Sequence, residues 1–381
     1  MMKTLILRRL INYYLIRRLI KNHYLKIQIN KREITMTEQE FISFPKIGQM
    51  RNLILDIEHQ AQYIGQDSEN KPIYDSNKKK PKLKFYGTVK LHGTNSGVSY
   101  RKKDGIWAQS RSNIITPEND NNGFAAFVEE HKSVFIELFE SLEKHIKDKN
   151  TIITIFGEWA GRRIQKGMAI NNLPRFYSIF AVKVSFNKEN RFFLKRDQWK
   201  HLKNHEARIY NIQDWKNWEI EIDFENISKS LEFLEKVVEE VESKCPVGHW
   251  FGNDGIGEGV VWVHESEHWG TLRFKTKGEK HKNTKSKKKI SIDPEIQKSI
   301  DDFIEYAVTE NRLNQGIEVV FTQHNAPFDI KMMGTFLSWV VKDIESEEMD
   351  VIIRSNLEMK QLTKSISAKA RSWFMEKWNK I

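Results

Sequence analysis

The strongest constraint on the fold is a change of period along the chain. Up to about residue 277, apolar residues mostly alternate or gather in short β-branched and aromatic runs, the pattern of strands, with helical stretches between them. After residue 293 they recur every three and four positions. Ile300, Phe303, Ile304, Ala307 and Val308 extend a stripe begun at Ile296. Met332, Met333, Phe336, Leu337, Val340 and Ile344 form a second, and Leu362, Ile366, Ala370, Trp373 and Phe374 a third. A chain divided this way is expected to be α+β: a core of antiparallel sheets with helices, then a C-terminal all-α domain. Asp293-Pro294-Glu295 reads as a helix start, a capping carboxylate followed by proline at the first helical position. The expected units are 1–35, 36–280 and 290–381, with a basic linker near 279–292.

Inside the core, helical spacing appears at 49–63, 124–147 and 228–243, the last closed by Pro246 and Gly248. Strands are expected at 84–90, 96–101, 105–110, 151–156, 176–184, 191–195, 258–264 and 270–276. The polar stretch 65–83, with Pro72 and Pro81, reads as a loop. Hydrophobic residues make up 39% and charged residues 30% of the 381, the balance of a soluble globular protein. The single cysteine, Cys245, excludes an internal disulfide framework and a multi-cysteine zinc site. The twelve histidines show no zinc spacing, and there is no GxxxxGK[ST] loop, which argues against a P-loop nucleotidase. No run reaches the roughly 18 apolar residues of a membrane span.

Net charge is +11, but residues 1–35 hold nine Lys/Arg and one acid and so carry +8 of it, leaving +3 for the rest. That segment is compatible with a transit peptide or a basic membrane-surface helix. The preferred reading is an upstream extension before a start at Met36, so the protein is expected to be cytoplasmic, with organelle targeting left open. The dense basic cluster is elsewhere: eight lysines between Lys275 and Lys289. Contact with a phosphate backbone and a solvated linker both explain it.

Chemistry concentrates in Lys90-Leu91-His92-Gly93-Thr94-Asn95. An aromatic and β-branched strand delivers a lysine to a tight turn, where its amine, once deprotonated, can attack phosphorus or carbonyl carbon. A surface lysine beside a turn would look the same in isolation. Five further segments add residues suited to a nucleotide. Arg111 is a natural phosphate fork. Glu158, in Phe156-Gly157-Glu158, can approach a ribose. The aromatic strand Phe176 to Phe180 can stack on a base or simply pack. Glu258 lies between Gly257 and Gly259. Lys275 and Lys277 alternate onto one strand face.

In this order the segments resemble the covalent nucleotidyltransferases, and most closely the RNA ligase 2 family, over about residues 45–277. That family shows KxHG, a later arginine, GE, an aromatic strand, EGxV and KxK. Histidine at position 92, where DNA ligases and capping enzymes usually carry an acid, and a helical rather than OB-type tail both favour this comparison. The resemblance implies an ATP-dependent RNA ligase using Mg²⁺ or Mn²⁺. Lys90 would take AMP from ATP. His92 and Asn95 would assist transfer to a 5′-phosphate, and Arg111 would hold a phosphate. Glu158 would bind ribose, Phe180 would stack on adenine, Glu258 would bind metal, and Lys275 and Lys277 would grip the α-phosphate. The implied substrate is nicked or structured RNA with 5′-phosphate and 3′-hydroxyl ends, acted on by a monomer. Ala181 departs from the family, in which an aspartate commonly follows the stacking phenylalanine. A DNA ligase, a capping-type guanylyltransferase and a non-catalytic RNA-binding protein on the same fold are the alternatives. Lys275, Lys277 and a metal are expected to depress the Lys90 pKa by like-charge repulsion, with Glu258 opposing them.

Overall fold

The computed structural model describes residues 39–146, 148–278, 296–322, 327–355 and 357–379. The expectations for 1–35, for the linker near 279–292 and for the Asp293 cap lie outside the described residues. The strands, in chain order, are β1 Gly48–Gln49, β2 Tyr63–Gln66, β3 Pro72–Tyr74, β4 Lys82–Lys90, β5 Thr94–Arg101, β6 Gly105–Gln109, β7 Ile114–Ile115, β8 Ile152–Ala160, β9 Phe176–Ser185, β10 Arg191–Phe193, β11 Ile209–Asn211, β12 Asn217–Asp223, β13 Gly259–Ser266 and β14 Gly270–Lys277. One sheet has the order β1-β14-β13-β4-β12. The other runs β10-β9-β8-β5-β6-β7, with β11 added beside β9. Pairing is antiparallel except for two short parallel contacts, β1 with β14 and β11 with β9. This is the expected α+β architecture.

Alternation decides which face each strand buries. On β4, Leu83, Phe85 and Val89 are buried, while Lys82 and Lys84 are exposed and Lys90 is half-buried. Phe85 packs edge-on against Phe274 of β14, which stacks on Trp262 of β13. Helices Met50–Gln62 and Ser228–Ser243 add Leu53, Ile57, Leu234, Val237 and Val241 to this core. The opposite face of the sheet carries Lys90, Lys275 and Lys277. The sequence thereby separates a greasy face from a cationic one within three adjacent strands.

Several expectations are corrected. The helix over 124–147 is broken at His131 (φ −108°, ψ 26°) into Phe124–Glu130 and Lys132–Glu140, followed by a 3₁₀ turn at Glu143–His145. The stretch 65–83 is not all loop, because β2 and β3 pair as an exposed hairpin closed by a turn with Asn70 at φ +60°. Pro72 opens β3, a position where the missing N–H costs little. β8 does not end at Phe156, before Gly157-Glu158, but continues to Ala160, so Glu158 lies within a strand. Pro246 starts a short helix, Pro246–Trp250. β12 was not foreseen, although Trp218, Ile220 and Ile222 alternate with polar residues.

A second hydrophobic core is built from Phe303, Leu313, Phe336, Val340, Leu362, Phe374 and their neighbours. Its helices are Ile296–Ala307, Glu310–Ile317, Met333–Arg354 and Met359–Trp378, with a π turn at Glu318–Thr322. The fully buried Arg312 is held by Glu348 at 2.8 Å and Asp343 at 2.9 Å. The helices dock on the sheets through Arg51, which reaches Glu348 at 2.5 Å and the Tyr306 hydroxyl at 2.6 Å. This docking brings the tail's carboxylates to the cationic face.

Candidate active site

Four strand ends meet where β4 turns into β5. Gly93 makes the turn possible: a Cβ there would lie 2.3 Å from the Trp159 carbonyl oxygen. Its backbone N–H donates to Glu158 Oε1 at 2.9 Å. Glu158 itself stands opposite Asn95 of β5 and Ser178 of β9, so one row of side chains crosses three strands on the site face. On the facing sheet, Gly259 sits at φ +150°, and a Cβ there would lie 2.1 Å from the Thr276 carbonyl oxygen. This close approach of β13 to β14 places Glu258 between Lys90 and Lys277.

Glu258 is the hub. Its Oε2 takes the Lys90 ammonium at 2.6 Å and lies 3.3 Å from His92 Nδ1, while its Oε1 takes Lys277 at 3.0 Å. The carboxylate side chain is only 4% exposed, so burial on its own would raise its pKa. Lys90 and Lys277, with the His92 hydrogen bond, outweigh burial and hold it well below the usual carboxylate range. The magnitudes agree: each lysine contact is worth roughly 5 kcal/mol at an effective dielectric of about 20, against a desolvation cost of several kcal/mol.

The Lys90 result corrects an expectation. Burial favours the neutral amine, but Glu258 and Glu158 overcome it, and the Lys90 pKa is raised rather than depressed. Like-charge repulsion is felt instead by Lys275, whose pKa is lowered by burial first and by Lys277 and Lys90 as well, against the pull of Glu347. Glu158 goes the other way from Glu258. Burial dominates and, with Glu258 nearby, lifts its pKa to about 7 despite Lys90. Two carboxylates in one site are thus driven apart in acidity, an arrangement frequent at functional sites.

Of the residues singled out from sequence, Lys90, His92, Glu258 and Lys277 are in direct contact. Glu158 touches the turn at Gly93, and Asn95 is its cross-strand neighbour. Lys275 is close but is held by Glu347 at 3.0 Å. Arg111 stays exposed beyond the end of β6, near enough to Glu158 to feel its charge but without contact to the lysines. Phe180 is the extra residue of a β-bulge, where Phe156 pairs with Ala181 and Gly157 with Ile179. Its ring faces a cavity of about 30 Å³ shared with Thr88 and Arg273, roughly the volume of one water. Phe44 packs edge-on against it at 5.1 Å.

Sequence reasoning missed three participants, two from the helical tail and one from β9. Glu347 is shared by Lys275 and by Lys46 at 3.2 Å, and its pKa is drawn down to about 2: burial opposes this, and the two lysines prevail. Glu318, in the π turn, lies 3.7 Å from His92 Nε2. Ser178 is fully buried on the Glu158 row, and its hydroxyl has no partner among the described residues. None had a local signal beyond its residue type.

Residues 83–280 match the family described as RNA ligase. Among solved structures, the chain is similar to a Naegleria gruberi RNA ligase mutant with AMP and Mn, at 17% identity and a TM-score of 0.40, covering 64% of this chain and 57% of that one. It is similar also to an archaeal ATP-dependent RNA ligase, at 14% identity and a TM-score of 0.36, covering 63% of this chain and 50% of that one. The chain therefore spans about half the length of these proteins. No curated protein matched. The match extends over more than half of the sequence and includes every strand of the lysine–glutamate cluster, and the chain belongs to the RNA ligase family.

Proposed function

We propose that this chain is an ATP-dependent ligase that joins 5′-phosphate and 3′-hydroxyl RNA ends through an adenylylated Lys90. The observation that carries this reading is the convergence of Lys90, Lys277 and His92 on the single buried carboxylate of Glu258, with Lys275 adjacent. Two ammonium groups and an imidazole share that one carboxylate, donors that phosphate oxygens can take over. In this reading Lys90 Nζ attacks the α-phosphorus of ATP, the bond to the β-phosphate oxygen breaks, and pyrophosphate leaves as the amine gives up its proton. A 5′-phosphate oxygen of RNA then attacks that phosphorus and releases Lys90. Finally the 3′-hydroxyl attacks the activated 5′-phosphorus and expels AMP. Lys275 and Lys277 hold the α-phosphate charge, Glu158 and Asn95 meet the nucleoside, and Ser178 offers it a free hydroxyl. Stacking of adenine on Phe180 requires the gap in front of the ring to open. Residues 36–280 would form the adenylyltransferase domain and 290–381 the helical domain.

Among the described residues no cluster of three or more His, Cys, Asp or Glu could hold a metal ion. Glu258 nevertheless fits Mg²⁺ or Mn²⁺, whose hard-oxygen preference is met by one or two carboxylates with phosphate oxygens and water. When bound, such an ion neutralises the phosphates. Lys90 must lose the proton that Glu258 and Glu158 stabilise, so whatever draws Glu258's charge from the amine favours attack. Labelled ATP with Mg²⁺ is expected to give an acid-labile protein adduct, absent in Lys90→Ala and in excess chelator. Labelling from GTP alone would reject the ligase reading. Equal sealing of nicked DNA and nicked RNA would reject the preference for RNA.

A further inference from the structure

We propose that Arg162, Arg163, Arg175 and Arg208 form a docking surface for the phosphodiester backbone of RNA leading into the active site. The inference rests on the ligase reading for the identity of the polymer. The four side chains line one open cavity of about 510 Å³. They come from two segments, the loop between β8 and β9 and the turn before β11. The loop is tied together by Arg162 Nε donating to the Asn172 carbonyl at 2.8 Å and Arg175 Nε donating to the Arg162 carbonyl at 3.1 Å. The turn is tied to it where the Tyr177 N–H donates to the Arg208 carbonyl at 3.0 Å.

Three features point to a polyanion. Among the described residues no carboxylate makes an ion pair with any of the four, and the cations that line this cavity leave it for an anion to neutralise. Arg163 and Arg208 occupy the left-handed region, at φ +63° and +57°, where a side chain is strained and glycine or asparagine is favoured. An arginine kept at such a position brings a cost that a fork for phosphate oxygens would offset. The same loop also abuts the catalytic turn: Gln165 Nε2 donates to the Gly93 carbonyl, and Asn171 Nδ2 to that of His92, both at 3.2 Å. A strand whose end lies at Lys90 and His92 therefore ends beside the loop that carries Arg162, Arg163 and Arg175. The openness of the cavity suits a polymer passing over it rather than an enclosed small anion.

The test uses the full chain with Arg163→Gly and Arg208→Gly combined. Glycine relieves the positive φ at both sites, so thermal unfolding should stay at or above the parent's; the paired Asn substitutions, which also tolerate this φ, give a second variant. Binding of a fluorescein-labelled nicked RNA duplex is followed by anisotropy over a salt series in chelator, where no turnover occurs. The slope of log affinity against log salt should fall by about 1 for each arginine removed. Adduct formation from ATP, which needs no RNA, should remain at the parent's level. An unchanged slope, or weaker binding without a change of slope, overturns the proposal. Failure of the parent to form the adduct would defeat the ligase reading instead, while the salt series would still report on the arginines.

Discussion

Glu258 in the sheet core and Glu348 in the helical tail are both buried carboxylates that meet several donors, and what is left over distinguishes them. Glu348 takes Arg312 at 2.8 Å, Arg51 at 2.5 Å and the Tyr306 hydroxyl at 3.0 Å, while Arg312 also takes Asp343. Two guanidinium groups face two carboxylates, the charges balance, and planar forks fill the oxygens' remaining lone pairs. Glu258 faces two ammonium groups and an imidazole, and the second acid that reaches this set, Glu318, meets the imidazole at 3.7 Å rather than the lysines. Its partners are flexible lysines, 23% and 15% exposed. The tail network is closed and joins two regions of the chain. The core network is open, with both lysine ammonium groups partly exposed.

The largest expected effect breaks the closed network. Glu348→Ala leaves Arg312 buried without one of its two acids and should destabilise the chain by about 3–5 kcal/mol in urea unfolding. Lys90→Ala, by contrast, leaves Glu258 with Lys277 and His92 and should cost less than half as much. If the two losses were equal, the distinction between closed and open networks would fail.

A second test uses acidity. Glu158 has its folded pKa raised to about 7, above its ordinary value, so its contribution to stability is full below that ordinary value and is lost as pH rises through 7. The stability of the parent relative to Glu158→Gln should fall by up to roughly 3 kcal/mol between about pH 4 and pH 8. Glu347, depressed to about 2, has the opposite sign: its stabilisation is present above the ordinary carboxylate pKa and is lost as pH falls toward 2. Equilibrium unfolding across pH checks both directions, and a parent that gained on Glu158→Gln with rising pH would reverse the assignment.

The smallest effect sharpens the role of His92 within the open network. His92→Ala should still form the lysine adduct but seal nicked RNA about a hundredfold more slowly, the scale of one positioned proton-transfer group. Unimpaired sealing in a single-turnover assay would remove His92 from the reaction.

Much of the site was legible because its signals are local. Lys90, His92 and Gly93 are read from a strand followed by a turn, Glu258 from the glycines around it, and Lys275 with Lys277 from strand alternation. Glu347 carried no such mark. It meets Lys275 from 72 residues away, because a helix of the tail docks across the sheet. The break at His131 was invisible because the apolar spacing continues through it. The placing of Glu158 inside β8 escaped because Gly157 resembles a strand end but pairs within the sheet.

The sequence alone determined where strands give way to helices and which reactive side chains stand at strand ends and turns, since both depend on neighbours a few positions apart. Tertiary structure alone decided their charge states. Lys90 is held protonated, Glu158 is lifted and Glu258 is lowered according to burial and to distances set by segments far apart in the chain, and Coulomb energy depends on separation in space rather than along the sequence.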